Sequence, residues 1–154
     1  MFRRALGFFA TGVTVVTGRT PEGEPVGVTV NAFASVSLEP PLILICLANT
    51  TGCLSAFSEG DRFAVNLLDE SQKGLSEEFA GPREHRFKDS AFDTWESDCP
   101  ILPGCLANLE CTRVAVHKGG DHVIVVGRVD HIEHDEEGRP LLYYQSGYRR
   151  LEDA

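Results

Sequence analysis

The sequence predicts a mainly β protein, an antiparallel Greek-key barrel with two or three short helices. Six to seven segments are rich in β-branched and aromatic residues, which is typical of strands. Successive strand candidates are mostly joined by turns, whereas parallel strands would need crossover helices. The two longest candidates, residues 106–117 and 122–132, flank Gly119-Gly120-Asp121, which favours a tight hairpin turn.

The first part of the chain is predicted to contain one helix and two strands. Residues 2–10 are expected to form a short amphipathic helix and not a targeting segment, because their apolar part is short and no small-residue cleavage site follows. Residues 12–18 form the first predicted strand. A turn at 20–25 leads to the second strand, which covers residues 26–37 and ends before Pro40-Pro41.

The remaining elements follow from local signals. The continuous apolar run 42–48 predicts a strand buried on both faces. Thr50 or Thr51 is expected to cap a helix that ends near residue 58, and Ser71 to cap a second helix that ends near residue 79. Further strands are predicted at 62–68, 92–96 and 141–144, with a loop-rich region over 80–104.

Composition places the chain among ordinary globular proteins. With 154 residues and 42% hydrophobic content, it is expected to form a single domain over residues 1–154. The net charge of −9 argues against nucleic acid or an anionic membrane as the main partner. A local basic patch for a phosphate remains compatible with that charge.

The cysteines predict neither disulfides nor a metal site. The chain has five, an odd number, with no CxxC pair: Cys46, Cys53, Cys99, Cys105 and Cys111. Buried reduced thiols in a cytoplasmic protein are the simplest interpretation. His131 and His134 lack the HExxH spacing, so no metal site is predicted there either. No apolar run approaches the ~20 residues of a membrane-spanning helix.

The second predicted strand, residues 26–37, has two chemically different faces. Alternate side chains of a strand point in opposite directions. One face is entirely aliphatic and is expected to cover the core: Val26, Val28, Val30, Ala32, Ala34 and Val36. The other is mostly short and polar: Gly27, Thr29, Asn31, Phe33, Ser35 and Ser37. Such a face suits a flat ligand that forms hydrogen bonds, although it could instead contact another subunit.

Two further segments are candidates for phosphate binding. Residues 49–52, Asn-Thr-Thr-Gly, follow a predicted buried strand and open a helix, and hydroxyls with free backbone N–H groups bind anions there. Simple helix capping explains the same residues. Arg83, Arg86 and Lys88 could neutralise a phosphate or form an exposed face. His122 and Tyr148 are similarly ambiguous between structural roles and ligand contacts, and no GxGxxG or GxSxG motif is present.

Together these segments resemble the short-chain flavin reductases, the small reductase partners of two-component flavin monooxygenases. The resemblance follows the family's order along nearly the whole chain. It is carried by residues 9–17, 27–41, 63–68 and 120–122 and by Gly147-Tyr148. It implies an FMN-binding split β-barrel, a homodimer with flavin near the subunit interface, and flavin reduction by NADH or NADPH.

Carried over by position, the resemblance also implies site residues. The isoalloxazine ring and ribityl chain would contact Thr29, Asn31, Ser35, Val36 and Ser37. Backbone groups for the ring would come from Cys46 and Leu47. The phosphate end would contact Asn49, Thr50 and Thr51, closed by Arg86 and Phe87. Nicotinamide would stack on the flavin beside His122 and Tyr148. The phosphate segment departs from the family's basic or Ser-rich variants, which leaves FMN and FAD both open.

The function predicted from the sequence is therefore NAD(P)H:flavin oxidoreductase, supplying reduced flavin to a partner monooxygenase. Hydride transfer between stacked rings needs no acid or base, so His122 is expected to orient the nicotinamide. Short neutral hydroxyls suit a flavin that must leave again. The alternatives are a non-catalytic flavin-binding electron carrier, a flavin-free sensor or interaction barrel, and other activities of the same fold, such as pyridoxamine-phosphate oxidation or metal or cobalamin reduction.

Overall fold

The computed structural model describes residues 1–152, so the last two residues of the predicted domain lie outside the described part. The helices are α1 (Phe2–Leu6), α2 (Leu54–Ser58) and α3 (Lys73–Ala80), with short 3-10 turns at Glu70–Gln72 and Arg83–His85. The strands are β1 (Thr11–Gly12), β2 (Thr14–Arg19), β3 (Pro25–Val30), β4 (Phe33–Leu38), β5 (Pro41–Ala48), β6 (Arg62–Leu67), β7 (Asp93–Thr94), β8 (Pro100–Ile101), β9 (Ala107–Gly119), β10 (His122–His134), β11 (Leu142–Tyr144) and β12 (Gly147–Arg149).

The main sheet of the described chain has seven strands in the order β3-β2-β6-β9-β10-β5-β4. All its neighbours pair antiparallel. Strands β3 and β4 lie at opposite ends of this order, yet only Asn31 and Ala32 separate them in sequence. The sheet therefore curls until its two ends approach each other, and β3 contacts β5, the strand that pairs with β4. The backbone N–H of Cys46 donates to the Ala32 carbonyl at 3.0 Å, which continues the β4–β5 ladder up to this crossing. The predicted split-barrel class is confirmed.

Two apolar clusters lie on either side of β2, whose residues 14–18 are all buried. The barrel interior contains Val16 and Phe63. The second cluster contains Val15 and Phe79, so α3 is held against the outside of the barrel. Full burial of each such side chain contributes roughly 1.5–3 kcal/mol to folding. This packing fixes α3 over β3, which is the relationship that builds the site described below.

Gly27 is the point of closest approach between α3 and β3. A Cβ atom at this position would lie 2.7 Å from Cε1 of Phe79 and 3.3 Å from Cζ of Phe87. Any larger side chain would push α3 away from the sheet. The glycine in the polar face of the predicted strand therefore serves packing, not ligand contact.

The predicted strand over 26–37 is wrong as a single element. It breaks at Asn31-Ala32, where the chain crosses from one end of the sheet to the other. Val26 and Val30 are buried as expected, but Ala34 and Val36 are exposed. Strand β4 pairs with β5 alone, and the register shifts at Val36, which is the extra residue of a β-bulge. An end strand with a bulge has no second layer to cover its aliphatic side.

Other local predictions also need correction. The run 42–48 is not buried on both faces, since β5 alternates between buried and half-buried residues. Helix α2 follows Cys53 and has no side-chain cap, so Thr50 and Thr51 are not capping residues. Asp69, not Ser71, caps the turn before α3, accepting hydrogen bonds from the Ser71 N–H and hydroxyl.

The hairpin of β9 and β10 is confirmed, with Gly120 at a φ of 69° in its turn. The hairpin of β11 and β12 was not predicted beyond its first strand, because its turn residues, Gln145 and Ser146, are not typical for φ values of 50° and 61°. In residues 1–152 no helix is long and apolar enough to cross a membrane.

Candidate functional site

Asn31 lies where three cavities of the described chain meet. It lines an apolar cavity of about 240 Å³ with Phe33, a cavity of about 220 Å³ with Tyr148, and a cavity of about 440 Å³ with Arg3. These are named the inner, tyrosine and helix cavities. Asn31 is exposed, and its side-chain amide forms no hydrogen bond with residues 1–152. The break between β3 and β4 thus presents a free donor and acceptor to all three spaces.

The tyrosine cavity joins the polar face of β3 to the C-terminal hairpin. The Tyr148 hydroxyl lies 2.7 Å from Oγ of Ser76, on the buried face of α3. Thr29 Oγ1 donates to the Ser76 carbonyl at 2.6 Å. Tyr143 packs edge-on against Tyr148, with ring centroids 5.5 Å apart, and Lys73 Nζ lies 5.6 Å from the Tyr148 ring centre. The Tyr148 ring is therefore held in one orientation from several sides.

Strand β4 places its three predicted ligand residues away from this cavity. Ser35 and Val36 are exposed, and Ser37 is half-buried, all on a strand whose outer edge is unpaired within residues 1–152. None of the three lines the tyrosine cavity. The polar row predicted from the sequence is thus divided into a Thr29–Asn31 part and a Ser35–Ser37 part on neighbouring segments.

Cys46 and Leu47 lie on β5, opposite β4 and β10. The Cys46 side chain is half-exposed, and partial burial raises the pKa of its thiol. Its backbone N–H is already engaged by the Ala32 carbonyl at 3.0 Å. The Leu47 side chain faces the core, and its backbone is paired with Val123 of β10.

The predicted phosphate segment lies directly beyond β5. Asn49 is tied to the β9–β10 turn, donating from its backbone to the Asp121 carbonyl at 2.9 Å and from Nδ2 to the Gly120 carbonyl at 3.2 Å. The hydroxyls of Thr50 and Thr51 form no hydrogen bond with the described residues. These two hydroxyls are the free donors of the segment, while Asn49 holds it in place.

Residues 83–87 reach β3 and Cys53, the residue before α2, from a distant part of the sequence. Arg86 donates to the Gly81 carbonyl from Nε and Nη2 and to the Gly27 carbonyl from Nη1, so its guanidinium fastens the loop to β3. Phe87, at a φ of 63°, packs between Phe79 and Phe92. The family resemblance implies that both residues close the phosphate end, whereas their contacts within the described chain hold the loop itself.

Arg83, by contrast, is free to meet a ligand. It forms no ion pair or hydrogen bond through its side chain within residues 1–152. It lines a cavity of about 90 Å³ with Arg86 and Cys53. Burial raises the pKa of the Cys53 thiol, and the positive charges of Arg86 and Arg83 partly oppose that rise. Of the two phosphate-binding candidates of the sequence, this cavity contains Arg83 and Arg86 of the second, whereas the first is represented only by its neighbour Cys53.

His122 is the first residue of β10 and lies opposite Ala48, the last residue of β5. Its Nδ1 lies 2.7 Å from Oδ1 of Asp121, and this hydrogen bond lowers the pKa of the Asp121 carboxyl. No hydrogen bond, ion pair or ring contact joins His122 to Tyr148 among the described residues, and the two lie in different sheets.

Sequence reasoning missed Ser76 and Tyr143. Ser76 lies three positions before the buried Phe79, on the apolar face of α3. A fully buried serine on such a face needs a hydrogen-bond partner, which was the available signal. Tyr143 carried no such signal, because it becomes a site residue only through pairing of β11 with β1 and β12.

The fold and the site define an antiparallel split-barrel protein with a polar ligand cleft at the junction of β3 and β4. The chain belongs to the flavin reductase family: the family model described as "Flavin reductase like domain" matches residues 6–152. It is 47% identical over 151 residues to the FMN reductase (NADH) of Agrobacterium fabrum, covering 97% of this chain and 84% of that protein.

Two further relatives extend the comparison. The reductase component of 4-hydroxyphenylacetate 3-monooxygenase of Thermus thermophilus is 44% identical, with 97% of this chain and 95% of that protein covered. The NADH:FAD oxidoreductase of Streptomyces globisporus, solved in complex with NAD and FAD fragments, superposes with a TM-score of 0.93 at 35% identity, over 98% of this chain and 91% of that one. The chain spans about half the length of some other relatives.

Proposed function

We propose that this protein is an NAD(P)H:flavin oxidoreductase that reduces FMN or FAD and supplies the reduced flavin to a monooxygenase. The observation that carries the proposal is the unpartnered side-chain amide of Asn31, which lines the same cavity as the immobilised Tyr148. The hydroxyls of Thr50 and Thr51 are also unpartnered within residues 1–152. The relatives support it by name, since they include an FMN reductase (NADH) and a monooxygenase reductase component.

The residues present fit a bound flavin. The free amide of Asn31 can donate to and accept from the pyrimidine edge of an isoalloxazine ring. The free hydroxyls of Thr50 and Thr51 fit the phosphate end. Arg83, which lines a cavity with the nearby residue Cys53, offers an unpaired guanidinium to the same phosphate. None of these groups except Arg83 is charged, which suits a flavin that binds, is reduced and leaves.

The chain's own contribution to the reaction is orientation. When bound, the nicotinamide and flavin supply the hydride chemistry between carbon C4 and nitrogen N5. Tyr148, held by Ser76 and Tyr143, presents a fixed aromatic surface. His122, held by Asp121, presents its other ring nitrogen for a hydrogen bond. Neither residue has to exchange a proton for the rings to react at ~3–3.5 Å.

A homodimer and a cytoplasmic location are parts of the proposal. Within one chain His122 and Tyr148 belong to different sheets, and in the proposed dimer the second copy closes the site around a stacked pair of rings. Large exposed apolar side chains on β4 and near α1 support such an interface, among them Leu38 at 93% and Phe9 at 77% exposure. Sedimentation of the purified protein tests the dimer, and a monomer at assay concentration would contradict it.

The decisive assay is steady-state oxidation of NADH and NADPH with FMN, FAD and riboflavin compared side by side. We expect flavin-dependent turnover with at least one donor. Protein that keeps flavin through dialysis but does not oxidise either donor would instead be the electron carrier. His122→Ala is expected to raise the KM for the nicotinamide donor, with His117→Ala on the same hairpin as the matched control.

A further inference from the structure

We infer that Arg3, on helix α1, binds a phosphate group of the nicotinamide dinucleotide in the helix cavity. The inference rests on the proposed function and adds a subsite to it. Its subject is the diphosphate that links the two halves of the hydride donor.

The charged side chains that line the cavities around α1 are positive, although the protein as a whole is acidic. The helix cavity of about 440 Å³ is lined by Arg3, Asn31, Tyr143 and the Gln145-Ser146 turn, among others. A neighbouring cavity of about 560 Å³ is lined by Arg3, Arg4 and the same turn. Arg3 and Arg4 carry the only charged side chains that line these two cavities in the described chain. The protein as a whole carries a net charge of −9, so this purely cationic lining marks an anion site.

The guanidinium of Arg3 makes no polar contact that stabilises the fold of the described residues. It forms no ion pair or side-chain hydrogen bond within residues 1–152. Some other arginines of the chain are engaged, such as Arg86 by two carbonyls and Arg113 by Asp61 and Gly60. A free guanidinium offers the planar fork of donors that matches a phosphate group.

The helix cavity continues into the tyrosine cavity. Asn31 and Tyr143 line both spaces, and Tyr148 lines the second. A nicotinamide ring beside Tyr148 must direct its ribose and diphosphate away from the barrel. The helix cavity is the adjoining space with cationic lining, which places the phosphates within reach of Arg3.

Helix α1 is anchored, although it has only five residues. The backbone N–H of Gln145 donates to the Gly7 carbonyl at 2.9 Å. Phe8 packs edge-on against Tyr144, with ring centroids 6.5 Å apart. The β11–β12 hairpin that presents Tyr148 therefore also fixes the segment that carries Arg3. The β11–β12 hairpin thus positions both the Arg3 subsite and Tyr148.

The experiment compares Arg3→Ala with wild-type protein using two hydride donors. NADH carries the diphosphate, whereas dihydronicotinamide riboside has no phosphate. We expect the KM for NADH to rise about tenfold, as for loss of one charged hydrogen bond, and the KM for the riboside to stay unchanged. Arg150→Ala is the matched control, because Arg150 carries the same charge, is exposed and lines neither cavity.

A second experiment changes the flavin acceptor and keeps NADH as the donor. The rise in the KM for NADH in Arg3→Ala should persist when the acceptor is riboflavin, which lacks a phosphate. A defect that disappears with riboflavin would assign Arg3 to the flavin phosphate and overturn the inference, as would equal losses with both donors or an unchanged KM for NADH. Wild-type protein that reduces no flavin would reject the proposed function itself, and these outcomes are therefore distinguishable.

Discussion

The hydroxyl of Tyr148 lies 2.7 Å from Oγ of Ser76, a residue with no exposed surface. The carbonyl of the same serine accepts a hydrogen bond from Thr29 at 2.6 Å. One buried residue of α3 therefore connects β3, which carries the polar row, with β12, which carries the tyrosine. The orientation of Tyr148 depends on α3, which forms no part of the seven-stranded sheet.

Ser76→Ala should make the Tyr148 side chain more mobile, because it removes the hydrogen-bond partner of the Tyr148 hydroxyl. Loss of this hydrogen bond is expected to lower the free energy of unfolding by about 1 kcal/mol and to raise the KM for NADH while leaving the KM for the flavin less affected. Tyr148→Phe removes the same bond from the other side, so the double variant should be no worse than the single ones. Urea unfolding and steady-state kinetics of all three variants measure both effects. Additive losses would show that the two hydroxyls act independently.

Gly27→Ala should destabilise the fold by about 1–3 kcal/mol, because the new methyl group overpacks the contact with Phe79. Gly74→Ala is the matched comparison. Gly74 lies inside α3, and a Cβ there meets no atom within 4 Å. This substitution should stabilise the protein by up to about 1 kcal/mol through helix propensity. Thermal melts of the two variants should therefore shift in opposite directions, and equal shifts would contradict the close approach of α3 and β3.

Cys46 should be the first cysteine of the described chain to react with iodoacetamide. It is half-exposed, whereas Cys53, Cys99, Cys105 and Cys111 are buried. Burial raises the pKa of Cys105 to about 11 and that of Cys111 to about 12, so neither forms much thiolate at neutral pH.

Saturating FMN should slow alkylation of Cys46 if the ring lies over β5 as the family resemblance implies. Mass spectrometry after a short pulse identifies the labelled residue, and Cys46→Ala serves as the control. Labelling of Cys46 at the same rate with and without FMN would remove that residue from the flavin site.

Asp69 should contribute to the loss of folding stability at low pH. The Ser71 hydroxyl and backbone N–H hold the pKa of the Asp69 carboxyl below its usual range. A lowered folded-state pKa stabilises the protein above the unfolded pKa of about 3.9, and this contribution is lost as the pH falls through the folded value. Wild-type protein should therefore lose stability below about pH 4.

Asp69→Asn tests this dependence. The amide oxygen still accepts from Ser71, so most of the capping remains at pH 7, but the side chain no longer titrates. The difference in free energy of unfolding between wild type and variant should shrink as the pH falls from 7 to 3. A difference that is constant with pH would assign the acid sensitivity to other carboxyls, such as Asp130, whose pKa is also lowered because hydrogen bonds from Thr112 and Arg128 outweigh its burial.

Several parts of the fold follow from local signals alone. Residues 106–134 have the β-branched content and the Gly-Gly-Asp turn of a hairpin, and β9 and β10 form one. The segments of the site were also visible, since Asn31 lies on the polar face of the predicted strand 26–37 and Thr50 and Thr51 open a predicted helix. All three keep unpartnered side chains within residues 1–152. Arg86 and Phe87 were found as site candidates, but their bonds to Gly27 and Phe79 could not be seen from spacing.

The amino-acid sequence alone determined the strand-rich composition, the turns and the two-sided chemistry of residues 26–37, because alternation and turn preferences are local properties of the chain. Only the tertiary structure decided that this stretch breaks at Asn31 and that Val36 is exposed. Burial of a strand depends on its neighbours in the sheet, and β4 has one neighbour where β2 has two in the described chain. The same reason applies to Ser76 and Tyr148, whose 2.7 Å contact spans 72 positions of sequence and exists only because α3 packs across β3.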